Sequence, residues 1–241
     1  MKSYKARGIV LGTLKYGEKG VIVHMLTDLY GRQSYMVQGV RPTARGSKMA
    51  LLQPMFAVEF EGLVSSKMSM HRIKELSPAL TLQSTPFDVR KSTMALFMAE
   101  VLYRLVRDVE PSSPLFDFVC RAVQSLDEAT VGVANYHLKF LVELSRHMGF
   151  YPASDYREGD VLDMREGVFV GCAPLHGDVM SVENSRTLAT LMTTDFEQLG
   201  TIPMNRHSRD SFLTAMLDYF AYHLDSVGGI RSVEILRTVF G

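Results

Sequence analysis

The sequence predicts an α+β protein: a five-stranded OB-type β-barrel at the N-terminus, then a mainly α-helical domain with a small hairpin-bearing insertion. Three observations lead there. Short apolar and β-branched runs, two of them alternating with a period of two, mark the first 80 residues. A helical period takes over beyond Ser77-Pro78. Charge divides at the same place: residues 1–80 hold 12 Lys and Arg against 5 Asp and Glu, a net of +7, and residues 81–241 hold 14 against 21, a net of −7. The expected domains are therefore 1–80 and 81–241, with the insertion at about 151–181 in the second.

Composition sets the class. The chain has 241 residues, of which 46% are hydrophobic and 22% charged, a globular mix that excludes a disordered polymer. No apolar run approaches the ~18 residues of a membrane span. The basic start, Met1 to Arg7, leads into a short apolar stretch broken by Gly12 and Thr13, with no small-residue cleavage site. A cytoplasmic protein with no membrane partner is expected. Two cysteines, Cys120 and Cys172, are too few for a disulfide framework or a four-cysteine zinc site.

The strands follow in order. Ile9-Val10-Leu11-Gly12-Thr13-Leu14 comes first, then a turn around Gly17 and Gly20, then Val21 to Thr27. Asp28-Leu29-Tyr30-Gly31 turns the chain into Arg32 to Gln38. A loop from Gly39 to Ser47 precedes Met55 to Glu61, where Phe56, Val58 and Phe60 alternate with Ala57, Glu59 and Glu61. Lys67 to Ile73 is the fifth strand. Five short strands in this length suit a small OB barrel; a small sandwich or an SH3-like barrel fits the pattern nearly as well.

The helices are set by caps and stripes. Thr85 as N-cap with Pro86 in the first turn opens a helix whose stripe is Met94, Phe97, Met98, Val101, Leu102 and Leu105. Ser113 and Pro114 open the next, facing inward with Leu115, Val119, Ala122, Val123 and Leu126. A third runs from about Val131 to Met148 and stops at Gly149. The last long helix runs from about Arg209 to Asp225, and Ser232 to Leu236 is either a final helical turn or a short extended piece. Tyr151 to Ser181, acidic and rich in glycine, reads as the hairpin-bearing insertion.

Catalytic motifs are missing: there is no HExxH, no GxSxG and no GxGxxG opening a helix. The loop Gly39 to Lys48 fails the phosphate-loop pattern in spacing and order. Cys172 and His176 have ligand-like spacing, but no second pair accompanies them, so a small cysteine and a surface histidine is the simpler reading. His137 and His223 lie on helices and read as structural. No enzyme and no cofactor is indicated.

The strongest functional feature is the basic N-terminal region. Arg32, Arg41, Arg45 and Lys48 stand in a stretch with no acidic residue between Arg32 and Glu59, and Lys2, Lys5, Arg7, Lys15 and Lys19 add charge near the first strand. Tyr4, Tyr16 and Tyr35 lie among them. Cations that follow a phosphate backbone, with aromatic rings on which bases stack, are what single-strand binders combine. The candidate DNA contacts are Lys5, Arg7, Lys15, Tyr16, Lys19, Arg32, Tyr35, Arg41, Arg45 and Lys48. Two other readings remain: an adaptor whose basic barrel grips an acidic protein, and an enzyme with an unrecognised pocket in the helical domain.

The order of several short motifs resembles one family, the bacterial RecO recombination mediators. Ala6-Arg7-Gly8-Ile9-Val10-Leu11 is similar to that family's opening strand, and Tyr16-Gly17-Glu18-Lys19 to its first turn. Leu26-Thr27-Asp28-Leu29-Tyr30-Gly31-Arg32 resembles its Thr-x-x-x-Gly-Lys/Arg connection, and Gly39-Val40-Arg41 its basic loop. Leu213 to Leu224, with its Tyr-x-x-x-His, completes the match along essentially the whole chain. The resemblance implies DNA repair and recombination through binding of single- and double-stranded DNA and annealing of complementary strands. It implies work with RecR to load RecA onto strands covered by single-stranded-DNA-binding protein, in the nucleoid. It also implies Arg32, Arg41, Arg45 and Lys48 as DNA contacts, and often a four-cysteine zinc module late in the chain. From the zinc pattern this sequence departs: only Cys172 stands there, so a metal-free insertion is expected.

Overall fold

The computed structural model describes residues 2–18, 20–39, 48–64, 70–106, 111–224, 227 and 229–240. They form two compact units, Met1–Asp127 and Glu128–Gly241.

The first unit begins with β1 (Lys2–Tyr16), β2 (Gly20–Thr27), β3 (Gly31–Gln38), β4 (Ala57–Val64) and β5 (His71–Pro78). Their ladder order is β1-β2-β3-β5-β4, and the β1–β4 pairing brings it back to the start, giving the five-stranded OB-type barrel. β1 is long enough to serve both neighbours. Its first half pairs with β4 from Lys2↔Val64 to Ile9↔Ala57, and its second with β2 from Gly8↔Thr27 to Tyr16↔Gly20. A register shift between Val10 and Gly12 marks the bulge where it bends from one to the other. Among the described residues only the β3–β5 pair is parallel.

Period-two burial fills the barrel. Val21, Val23 and Met25 of β2, Tyr35 and Val37 of β3, and Val58 and Phe60 of β4 point inward, joined by Ala6, Val10 and Ile73. Leu52, following a 3-10 turn at Lys48–Leu51, belongs to the same core. At roughly 1.5–3 kcal/mol for each large side chain buried, this cluster is what holds the strands in register.

Helix α1 (Val89–Leu105) buries the expected stripe of Met94, Phe97, Met98, Val101, Leu102 and Leu105. Its start differs from the sequence reading. Asp88 is the N-cap, accepting from the N–H groups of Arg90 and Lys91, and Thr85 instead gives its N–H to the Asp127 carboxylate at 2.6 Å. β5 likewise lies later than expected, so Ser77 and Pro78 still belong to a strand. Of the expected fifth strand, Lys67, Met68 and Ser69 fall outside the described residues. Helix α2 (Ser113–Glu128) is capped by Ser112, one residue before the expected position, through Leu115 N–H at 3.3 Å.

In the second unit the expected third helix is broken. Gly132 takes φ 71°, and a Cβ there would stand 2.5 Å from the Gly200 nitrogen, so the chain passes through a 3-10 turn, Val133–Asn135, before α3 (Tyr136–His147). Helix α4 (Val182–Thr193), capped by Ser181, was not foreseen. Helix α5 (Arg206–His223) starts at the Asn205 cap, earlier than read. Ser232–Val239 is a true helix, α6, which settles the extended alternative. Arg206 and Arg209 donate to the carbonyls of Arg237 and Phe240 at its end, where a cation favours the helix dipole. The insertion does carry a hairpin, β6 (Val161–Asp163) with β7 (Val168–Val170). Among the described residues no helix is long and apolar enough to cross a membrane.

Candidate nucleic-acid interface

The alternation that fills the barrel also decides which cations reach its outside. On β1, Ala6 and Gly8 to Leu11 are buried while Lys2, Lys5 and Arg7 are exposed. Beyond the bulge the strand leaves the core, and Thr13 to Tyr16 are all exposed. This end of the β1–β2 hairpin presents Lys15 beside Leu14 and Tyr16, which are 59% and 54% exposed. An exposed tyrosine next to a lysine at a hairpin end is what a stacking contact requires.

Arg7 is partly committed. Its Nε donates to Asp28 at 3.1 Å, its guanidinium lies 5.1 Å from the Phe116 ring centre, and Asp117 is 3.9 Å away. The hydrogen bond to Asp28 raises its pKa further. Lys48 donates to the Lys74 carbonyl at 3.2 Å. A cavity of about 640 Å³ gathers Lys5, Arg7, Lys48 and Lys74, but Asp28, Glu59, Glu61 and Glu75 also line it. Lys74 is bound to Glu61 at 2.9 Å. Four carboxylates beside four cations leave this cavity close to neutral, a poor seat for phosphate.

Arg32 sits elsewhere, in a cavity that no acidic side chain lines among the described residues. Its Nη1 donates to the Tyr103 carbonyl at 2.7 Å and its guanidinium lies 5.0 Å from that ring's centre.

Tyr35 requires a correction. The ring is 0% exposed and packs in the barrel core, 5.0 Å from Phe60, so no base can stack on it. It shares the inward parity of Val37, which outweighed its polar tip. Burial raises its hydroxyl pKa, and the hydroxyl, with Tyr4 and Thr27 as polar neighbours, meets no partner in hydrogen-bonding geometry among the described residues. Lys19, Arg41 and Arg45 lie outside the described residues. What sequence reasoning missed is His24, His71, Lys74 and Tyr103, which come from β2, β5 and α1 and share no spacing pattern.

The insertion does not fit a zinc module. Cys172 is exposed. Both nitrogens of His176 are engaged: Nε2 meets the Asp163 carboxylate at 3.2 Å, and Nδ1 accepts the Asp178 N–H at 3.1 Å. Asp163, itself buried, also accepts from the N–H groups of Arg165 and Glu166, and Arg165 pairs with Asp178. Carboxylates and an imidazole cross-link this hairpin, and among the described residues no three His, Cys, Asp or Glu side chains are grouped to hold a metal.

The family described as "Recombination protein O N terminal" matches residues 1–81, and "Recombination protein O C terminal" matches residues 86–229. A DNA repair protein RecO of Phocaeicola vulgatus is 35% identical over 98% of both chains, and that of Bacteroides fragilis 36% over the same share. The Flavobacterium psychrophilum protein of the same name is 31% identical, again over 98% of each chain. With an OB-type barrel bearing exposed cations, helices behind it in sequence, and both halves matched, the chain belongs to the RecO family, whose role is in DNA repair and recombination.

Proposed function

We propose that the protein binds single- and double-stranded DNA through the outer face of its barrel, anneals complementary strands, and works with RecR to load RecA onto strands covered by single-stranded-DNA-binding protein. The observation that carries the reading is the hairpin end of β1, where Lys15 and Tyr16 are exposed side by side; Lys2 and Lys5 are exposed toward the strand's other end, beyond the buried stretch Gly8 to Leu11. Ten residues of strand span at most about 33 Å, the length of roughly ten phosphates along one DNA strand. Cations at the two ends of such a strand meet phosphates without reading bases.

The mechanism makes and breaks no bond. Two complementary strands repel through their phosphates. A cationic surface that engages both lowers the repulsion and raises their local concentration, while backbone-directed contacts leave base edges free to pair. The acidic part of the chain, residues 81–241, repels phosphate and is suited to protein partners.

Strand annealing by the wild type and by a Lys5/Lys15/Tyr16→Ala variant tests this. The expected result is a rate at least tenfold lower at 100 mM salt, with the gap closing as salt rises and screens the lysines. Equal rates overturn the reading.

A further inference from the structure

A second cavity in the barrel unit has a different character from the mixed-charge one. It is smaller, about 270 Å³, and its wall is made by His24, Arg32, Gln33, Ser34, His71 and Tyr103 with one methionine. Among the described residues no carboxylate lines it.

Each basic group in this wall is held by one edge. Arg32 is fixed through Nη1 on the Tyr103 carbonyl and by the face of the same ring. His24 is fixed through Nδ1 on Ser34 Oγ at 2.8 Å, with its ring 4.9 Å from that of Tyr103. The two residues are direct partners across β2 and β3, so this bond follows from register. His71 is fixed through Nδ1 on Tyr4 Oη at 2.7 Å, and Tyr4 packs edge-on against Tyr30 and Phe60. The other edges, Nε and Nη2 of Arg32 and Nε2 of both imidazoles, have no hydrogen-bond partner among the described residues.

A ligand for such a wall must be small, anionic and rich in acceptors. Guanidinium donors match the oxygens of a phosphoryl group in a fixed fork, and two imidazoles whose Nδ1 accepts the Ser34 and Tyr4 hydroxyl protons would offer Nε2–H donors that lose little freedom on binding. A metal ion is disfavoured, because a fixed guanidinium stands among the only two imidazoles. Burial, and then the Arg32 charge, lowers the pKa of His24; an anion in the cavity offsets the second of these.

We infer that this pocket takes one phosphoryl group, held by Arg32 with His24 and His71. The inference deepens the DNA-binding reading, since a strand phosphate is the natural source, yet it stands or falls separately. The test observes the imidazole ¹⁵N signals of the full chain at constant ionic strength, titrated with inorganic phosphate, with a 5′-phosphorylated oligothymidylate, and with the same oligomer bearing a 5′-hydroxyl. The expected result is saturable movement of the His24 and His71 signals with phosphate, weakened at least tenfold in Arg32→Gln and several-fold in His24→Gln, with melting temperatures recorded for both. Glutamine at 32 keeps a donor for the Tyr103 carbonyl, so the helix contact is retained. Tighter saturation by the phosphorylated oligomer identifies a strand end as the source; equal saturation identifies internal phosphates. Either supports the pocket. Signals that stay still in all three titrations, or move equally in folded Arg32→Gln, overturn it. Normal oligomer binding by anisotropy alongside still signals would sink the pocket while leaving the DNA-binding reading intact.

Discussion

Tyr4 and Gly62 face each other across β1 and β4, and the Tyr4 ring occupies the space that a side chain at 62 would need. A Cβ built on Gly62 would stand 2.4 Å from Tyr4 Cζ. The ring cannot swing away freely, since His71, Tyr30 and Phe60 hold it. Gly62→Ala is therefore expected to destabilise the protein by about 1–3 kcal/mol through overpacking. It should also detach Tyr4 from His71. Urea unfolding gives the first effect and the His71 imidazole signal the second; Tyr4→Phe should reproduce only the second, at about 1 kcal/mol.

Asp127 closes the segment between barrel and helix α1. Its carboxylate accepts the N–H groups of Gln83, Ser84 and Thr85 at 2.7, 2.9 and 2.6 Å. Burial pushes its pKa up, but those three donors outweigh it and hold the group below the usual carboxylate range. Asp127→Ala should cost about 2–3 kcal/mol, and Asp127→Asn about half that, because one carbonyl oxygen remains to accept. The depressed carboxyl places this contribution above pH ~4, and acid removes it. Chemical denaturation of both variants at pH 7 checks the order.

Those contacts also explain what the sequence made legible and what it hid. Strand number and the apolar faces of α1 and α2 follow from local periodicity, so Met94 and Phe97 fell where expected; the choice of an OB barrel over a sandwich or an SH3-like barrel depends on strand pairing, which periodicity does not fix. Thr85 and Pro86 form a sound cap-and-first-turn pair, yet an acceptor 42 residues later takes the Thr85 N–H and the helix starts at Val89. Charge could be counted but not paired: nothing adjacent to Arg7 announces Asp28, which a turn brings alongside. His24 and His71 are joined only because β3 pairs with both their strands.

His137 makes the stability of the second unit depend on pH. Burial, then the charge of Arg209, lowers its pKa to about 3. Arg206, Arg237 and Asp210 line the same small cavity, where among the described residues the arginines outnumber the carboxylate. The unfolded chain binds a proton near the ordinary pKa of ~6.5 and the folded chain does not, so stability is full above pH ~6.5 and falls progressively toward pH 3. His137→Gln should flatten the change in urea midpoint between pH 7 and 5, whatever it costs at pH 7.

The hydrogen-bonded hairpin of the insertion predicts indifference to chelators. With both His176 nitrogens occupied and Cys172 exposed, EDTA or phenanthroline should leave the melting temperature unchanged. His176→Ala should lower stability by about 1–3 kcal/mol, because it takes the partner from Oδ2 of the buried Asp163 carboxylate while Oδ1 keeps the Arg165 and Glu166 N–H groups. A chelator-induced drop in melting temperature, reversed by zinc, would show that metal and not this network holds the hairpin.

Two tyrosines separate surface from core in the DNA-binding reading. Tyr16 is exposed at the hairpin end, and Tyr35 is sealed inside. Tyr16→Ala should weaken single-strand binding by about 1–3 kcal/mol without altering the salt slope, as expected when a ring and not a charge is lost. Lys15→Ala should do the reverse: a modest loss at low salt and a slope shallower by about 0.7, one phosphate contact on a single strand. Tyr35→Phe removes an unpartnered hydroxyl from the core, so stability should hold or rise and DNA affinity should not change. Anisotropy titrations of a fluorescent oligothymidylate at four salt concentrations resolve all three. If Tyr35→Phe lowers affinity as much as Tyr16→Ala does, the barrel must open to bind, and the outer face of β1 is not the docking surface.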